Sequence, residues 1–453
     1  MSIGQVQKKK TVYIKTFGCS LNQTDSENMA GLLEESGFDV ISNYGVPKHI
    51  WEQSPDSKKD FDVVIINTCS VKNLAEFKFN REFRLWKERG KKIIVTGCIP
   101  QADPEILLTT LKDVPVIGTR QIVHVVDIVN DTLKGRAIQN ISNDYNERLN
   151  LPKIRKTGII EILPISEGCL SNCTYCKTKF ARGELLSYPK EKILMQFKSA
   201  LAQGCKEFWI TSQDNGCYGF DIYRKEKYFL PQLLNDLLKI EGDYRIRLGM
   251  ANPDHIKRIK EDLMQTFNHP KMFKFLHIPI QSGNDRVLKS MKRFYKVKDY
   301  EDIVNDFKKE IPEIGISTDM IVGFPTETEE EFNDSMKLLK RTKPDVVNLS
   351  RFWLRKGTAA EKMKQLTGTK IKKRSEAMKK LFIEISTENG KKWIGKECAA
   401  LINELGKNNT LIAKNESYKQ VVIKNDEKHK IGDFVKVKIT GSGTYDLRGE
   451  IIN

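Results

Sequence analysis

The sequence predicts an α/β protein in three parts: an N-terminal parallel sheet covered by helices, a central partial (β/α)6 barrel, and a small all-β barrel at the end. Three observations predict this. Strand-like and helix-like stretches alternate up to about residue 120 and again from about residue 155. A polar, Asn-rich run around Gln139–Leu151 separates the two alternations. From about Gly390 the alternation gives way to short β-rich runs divided by Gly, Asn and Asp. The expected boundaries are residues 10–120, a linker at 121–154, 155–388, and 389–453.

Each element has a local reason. Thr11–Thr16 is β-branched and apolar, as are Val63–Asn67 and Lys92–Thr96, and these read as strands. Thr24 followed by Glu27 resembles a capping box for a helix ending near Gly37, and a second helix is expected over Asn73–Glu88. The linker is expected to hold one helix. In the central part the strand candidates are Ile159–Ile165, Glu207–Thr211, Arg245–Met250, Phe275–Pro279, Ile316–Ile321 and Val346–Phe352, with helices such as Asp254–Phe267 and Glu327–Lys340 between them. Six β–α units make an open barrel whose site lies at the strand carboxyl ends. The last part offers Glu397–Ile402, Thr410–Ala413, Tyr418–Ile423, Phe434–Ile439 and Thr444–Ile452, five short strands of the kind that close an oligonucleotide-binding barrel.

Composition narrows the function classes. The 453 residues are 39% hydrophobic and 30% charged, as in ordinary globular proteins. No apolar run is long enough to span a membrane. The start, Met1–Lys10, is polar and lacks the apolar core of an export signal, so a reducing, cytoplasmic setting is expected. There the nine cysteines point to metal or redox chemistry rather than disulfides. The net charge of +17 favours a polyanionic partner, and nucleic acid comes first. Lysines crowd the stretch Lys364–Lys380, where Glu376 is the only acid. A solvated helix face and a phosphate contact are both open readings there.

Two sets of cysteines carry the chemistry. Cys169, Cys173 and Cys176 are spaced C-x-x-x-C-x-x-C. Zinc would need a fourth ligand, and the next cysteine, Cys205, is far along the chain. Three thiolates fit an iron–sulfur cubane with one iron open to a small molecule. In the first part, Cys19, Cys69 and Cys98 each follow a predicted strand within a few residues. In a parallel sheet those strand ends share one crevice, so three separate thiols are expected at one place, a second three-thiolate metal site. Cys205, Cys217 and Cys398 read as small buried hydrophobes.

Longer motifs now carry a resemblance. Cys169–Cys176 is similar to the signature of radical S-adenosylmethionine (SAM) enzymes. The chain from about Thr11 to Ile452 resembles the methylthiotransferases among them, through Thr16–Asn22, Asn67–Val71, Thr96–Cys98, His277–Gly283 and Asp319–Pro325. The run Cys176–Gly183, then Ser187-Tyr188-Pro189, with Gly97–Gln101 and Arg247–Pro253, is most similar to the archaeal and eukaryotic threonylcarbamoyladenosine tRNA methylthiotransferases. One departure is Thr326, where the family usually has Gly; it puts the local turn geometry in question.

The resemblance implies a Rossmann-like N-terminal methylthiotransferase domain, a radical SAM barrel and a TRAM barrel. It implies two 4Fe-4S clusters, on Cys169, Cys173 and Cys176 and on Cys19, Cys69 and Cys98. The first cleaves SAM to a 5′-deoxyadenosyl radical. That radical takes hydrogen from carbon two of N6-threonylcarbamoyladenosine beside the anticodon, and the second cluster supplies the methylthio group. Expected SAM contacts are Tyr175, Gln213, Asp214, Arg247, Gln281 and Asp319. The TRAM barrel is expected to grip tRNA; Phe434 is read as core, while Tyr418 is open between base stacking and core. Expected partners are tRNA and an electron-donor protein, with no membrane anchor and a monomeric chain. The rival substrates are isopentenyladenosine in tRNA and a ribosomal protein.

Overall fold

The computed structural model describes residues 9–42, 60–70 and 73–452, and side chains from Glu76 on in the helix that opens the last range. Met1–Lys8 and Val71 of the sequence motifs lie outside them. The chain forms two compact units. The first comprises residues up to Lys156 together with Glu167–Cys169 and Lys177–Glu184; the second holds the remainder.

The first unit is built on a six-stranded sheet in the order Asp39–Ser42, Thr11–Thr16, Val63–Thr68, Lys92–Gly97, Val116–Ile117, Gln139–Asn140, with every pair parallel. All six residues of Val63–Thr68 are buried, as expected of a central parallel strand covered on both faces. Alternate side chains feed two cores. Val12, Ile14, Val63, Ile65 and Ile94 pack with Met29, Leu33 and Val129. Tyr13, Val64, Ile66 and Val95 pack with Phe61, Phe79 and Trp86. The helix expected at Asn73–Glu88 forms there.

Two expectations need correction. The first helix runs Ser20–Glu35 with Cys19 as its N-cap, so Thr24 lies inside it and opens no capping box. The segment read as linker contributes more than its helix, Val125–Leu133: Gln139–Asn140 adds an edge strand to the sheet. The polarity of that segment is spent on hydrogen bonds to loops, as where Gln121 Nε2 donates to the Ser142 carbonyl at 2.9 Å.

The second unit carries the six central strands as two parallel three-stranded sheets. One is ordered Arg245–Leu248, Glu207–Thr211, Ile160–Pro164, and the other Phe275–His277, Gly315–Val322, Val346–Arg351. A single parallel bridge, Ile246 to Met272, lies at the seam. The helices Pro253–Phe267 and Glu329–Thr342 start on Asn252 and Thr328, whose side chains cap them. Thr326 takes φ +67°, the conformation that the family's glycine suits. A β-branched residue there stores strain. Arg286 holds the turn, donating from Nη2 to the Thr326 carbonyl at 3.0 Å and from Nη1 to its hydroxyl at 3.2 Å.

The five C-terminal strands, Glu397–Leu405, Thr410–Asn415, Gln420–Lys424, Phe434–Ser442 and Leu447–Ile451, close a barrel. Trp393 belongs to its core, with Ile402, Ala413, Val421 and Val437. Tyr418 is resolved as packing rather than an exposed stacking surface. Its ring lies 4.8 Å from Phe273 and 5.2 Å from Phe275, and its hydroxyl donates to Glu207 at 3.0 Å. Phe434 is only half-buried and lies under the Arg245 guanidinium at 4.7 Å. Glu207, fully buried, also accepts from Asn403 Nδ2 at 2.8 Å.

Candidate functional site

In the first unit two thiols approach one side chain, and a third packs against the turn beside it. Cys19 at the N-cap of its helix and Cys98 at the end of Lys92–Gly97 place their sulfurs 3.8 and 3.7 Å from Asn22 Oδ1. Asn22 is fully buried, and its Nδ2 donates to the carbonyls of Thr68 and Phe17 at 2.5 and 3.0 Å. Cys69 packs against Gly18: a Cβ there would sit 3.1 Å from the Cys69 sulfur and 2.8 Å from its Cβ. Gly18 has φ +118°, so the chain turns from strand to helix where a side chain would fill the cradle. None of the three is in a disulfide; Cys19 is exposed and the other two are buried.

Charge gathers beside them. Arg182, within Lys177–Glu184 of the same unit, donates from Nη2 to Asn22 Oδ1 at 3.0 Å and to Asp25 at 2.7 Å. Its Nη1 is buried and makes no hydrogen bond among the described residues. Burial pushes the Cys98 thiol up, while the Arg182 guanidinium against it pulls the other way. Three converging thiols, a glycine cradle and an unused buried donor fit a sulfur-rich anionic group. An iron–sulfur cluster with three protein thiolates is such a group.

Leu170–Cys176 of the C-x-x-x-C-x-x-C loop belong to the second unit and are braced within it. Thr174 donates from its backbone N to Met291 O at 3.1 Å and from its hydroxyl to Ser290 O at 3.0 Å. Its carbonyl accepts from Ala360 N at 2.9 Å, and Asn252 Nδ2 reaches Ser171 at 3.2 Å. Arg293, buried, points Nη1 at the Cys173 sulfur at 3.5 Å while Nε and Nη2 hold Tyr295 and the Pro279 carbonyl. A thiolate facing a fixed guanidinium is a suitable ligand for a metal cluster. Cys169 belongs to the first unit, where its backbone N donates to Gly183 O at 3.2 Å.

The expected SAM contacts divide. Tyr175 packs edge-on against Phe324 at 6.3 Å, and burial raises its hydroxyl pKa. Gln213 is half-buried, and its Oε1 is a buried acceptor with no partner among the described residues, so it is available to an amino group. Gln281 takes φ +72° and pairs its backbone with Asp319, whose carboxylate receives His277 Nε2 at 2.9 Å and Asn348 Nδ2 at 2.8 Å. Asp214 accepts from Gly216 N in its own loop and from Asn252 N and His255 Nδ1 at the start of Pro253–Phe267. Arg247 lies 5.6 Å from the rings of Phe275 and Tyr418, and its buried Nε has no hydrogen-bond partner among the described residues. Sequence reasoning assigned no role to Asn22, Arg182 or Arg293. For Arg182 a signal existed, since it lies in the run quoted after Cys176.

Comparison with known proteins agrees with this layout. Residues 163–339 match the radical SAM superfamily, 11–118 the uncharacterized protein family UPF0004, and 391–452 the TRAM domain. The chain is 38% identical to a probable threonylcarbamoyladenosine tRNA methylthiotransferase of Pyrococcus horikoshii, over 97% of this chain and 99% of that one. The Methanocaldococcus jannaschii counterpart is 38% identical over 99% and 98%, and the Homo sapiens protein 37% over 98% and 74%. Among solved structures, the radical SAM methyltransferase TsrM from Kitasatospora setae superposes with a TM-score of 0.55 at 13% identity, covering 78% of this chain and 75% of that one, a likeness of fold. The chain belongs to the threonylcarbamoyladenosine tRNA methylthiotransferase family, within the radical SAM enzymes.

Proposed function

We propose that this enzyme inserts a methylthio group at carbon two of N6-threonylcarbamoyladenosine next to the anticodon of tRNA. The observation that carries the proposal is the approach of Cys19 and Cys98 to Asn22 with Cys69 against the neighbouring Gly18, in a chain that also bears the C-x-x-x-C-x-x-C loop. With both clusters bound, the first supplies the electron that cleaves SAM and the second supplies the sulfur that is transferred with its methyl group. Cys169, Cys173 and Cys176 hold the first, and Cys19, Cys69 and Cys98 hold the second. Arg293 fixes the Cys173 sulfur, and the loop bonds of Thr174 keep Tyr175 in place. Gln213 Oε1 accepts from the amino group of SAM.

RNA is met by aromatic and basic groups near the loop. Tyr175 packs with a small core of Val287, Met291, Phe324, Phe352 and Ala360. Two exposed rings leave that core within a few residues, Phe294 and Trp353, with Lys292 and Arg351 exposed beside them. Such rings stack on unpaired bases while the cations meet phosphates. The helix Gly368–Lys391 exposes Lys370, Lys373, Lys379 and Lys380. Partners are tRNA and an electron-donor protein. No helix among the described residues is long and apolar enough to cross a membrane.

The test is nucleoside mass analysis of tRNA carrying both threonylcarbamoyl- and isopentenyl-adenosine, after anaerobic incubation with cluster-loaded protein, SAM and reductant. A methylthio mass gain on the threonylcarbamoyl nucleoside alone is expected. A gain on the isopentenyl nucleoside instead would overturn the substrate. Release of 5′-deoxyadenosine with neither nucleoside changed would point to the ribosomal protein substrate.

A further inference from the structure

The first unit buries more charge than a scaffold needs. Asp25, Glu167, Arg148 and Arg182 have side chains at most 5% exposed. Arg182 pairs with Asp25, Arg148 pairs with both Asp25 and Glu167, and Arg120 lies 3.6 Å from Glu167. Lys153 lies 4.0 Å from Glu27 nearby. The buried members balance, two guanidinia against two carboxylates, with the partly exposed Arg120 beside Glu167. A buried donor that no acceptor answers is costly all the same.

The position of Arg182 is specific. Arg182 touches Asn22 Oδ1, the atom that both Cys19 and Cys98 approach, and it lies against the Cys98 thiol. Its Nη1 is the donor left without a partner. A cubane core of roughly two positive charges on three thiolates is an anion of about one unit, a fitting acceptor for that donor.

We infer that Arg182 is a positioning residue for the sulfur group held by Cys19, Cys69 and Cys98. Its Nη1 donates a hydrogen bond to a sulfur of that group, and its charge favours the more reduced, more anionic state. Asp25 orients the guanidinium through one carboxylate oxygen, and Arg148 holds the other. This inference rests on the proposal of a second cluster.

The experiment uses the full chain with Cys169, Cys173 and Cys176 changed to Ala, reconstituted without oxygen, so that one cluster titrates alone. Iron content and an EPR-monitored reductive titration are read for Arg182 intact, Arg182→Gln and Asp25→Asn. Arg182→Gln is expected to keep iron and to become harder to reduce, by about tenfold or more in the reduction equilibrium. Asp25→Asn removes a compensating negative charge and is expected to shift that equilibrium the opposite way. A merely structural role would not give opposite signs. Unchanged titrations in both variants, with iron retained, overturn the role of Arg182. If Arg182→Gln does not fold, Asp25→Asn decides: an unchanged titration sinks the inference, and easier reduction supports it. Absence of iron from the parent chain would instead remove the second cluster itself.

Discussion

Replacing Gly18 by Ala separates the two thiolate sets in one step. The new Cβ would sit 2.8 Å from Cys69 Cβ, 3.1 Å from Cys69 Sγ and 3.1 Å from Asn22 Nδ2. Contacts under 3.0 Å to a Cβ are not relieved by rotating a side chain, so Cys69 and its backbone must move. Crowding of this kind costs about 1–3 kcal/mol. The φ of +118° adds about 1–3 kcal/mol for any residue with a side chain. Together these make roughly 2–6 kcal/mol, enough to displace one ligand of the second cluster. Gly37→Ala is the control, since its φ is +89° but nothing lies within 4 Å of its new Cβ. Iron analysis after anaerobic reconstitution should read roughly eight atoms per chain for the parent and the control, and roughly four for Gly18→Ala. The Gly18 variant should still release 5′-deoxyadenosine from SAM and form no methylthio product. Full iron and full product in Gly18→Ala would refute the reasoning, because Cys69 would then not need the place it occupies.

Other substitutions give distinct outcomes. Cys173→Ala should abolish SAM cleavage, whereas Cys69→Ala should abolish product and leave cleavage measurable; a methylthio product from either variant would contradict the assignments. Arg374→Met removes donors to the Glu327 carboxylate at 2.7 Å and its carbonyl at 3.1 Å, with both side chains buried, and should cost about 3–5 kcal/mol in denaturant unfolding. Burial already holds the Glu327 carboxyl above its ordinary value. A raised carboxyl contributes stability below its unfolded pKa that is lost as pH rises through the folded one, so the Arg374 variant should lose more at pH 8 than at pH 5. A loss independent of pH would mean that Glu327 does not change protonation over that range, which would refute this reading. Trp353→Ala should weaken tRNA binding by about tenfold without altering SAM cleavage in the absence of RNA; unchanged affinity would remove Trp353 from the RNA surface.

The sequence made the thiols legible because strands end where the β-branched runs end. Thr11–Thr16 and Glu207–Thr211 have the expected bounds, and Lys92–Gly97 runs one residue further, so the placement of Cys19 and Cys98 after strands follows. Asn22, Arg182 and Arg293 were not legible as partners. Asn22 and Arg182 lie in quoted motifs, but their partners across the chain, such as Asp25 for Arg182 157 residues away, are set by the fold rather than by local pattern. For Arg247, strand position alone does not say which face it shares. It is paired in register with Trp209, two residues beyond Glu207, and so shares the face that Tyr418 and Asn403 cover. Thr326 shows the opposite case: the family's glycine conformation is retained without glycine, because Arg286 holds the turn.

The burial of Glu207 beneath the C-terminal barrel has a practical corollary for dissecting RNA recognition. Cutting the chain before Trp393 would not subtract a module. It would strip the carboxylate of Asn403 and Tyr418, remove the ring that covers Phe273 and Phe275, and leave Lys274 N without the Glu416 carbonyl it reaches at 2.7 Å. A truncated chain that failed to bind tRNA would report a wounded catalytic body as readily as a missing grip. The barrel is better interrogated by charge reversal at its solvent-facing lysines, such as Lys436 and Lys438, which alternate with the buried Val435, Val437 and Ile439.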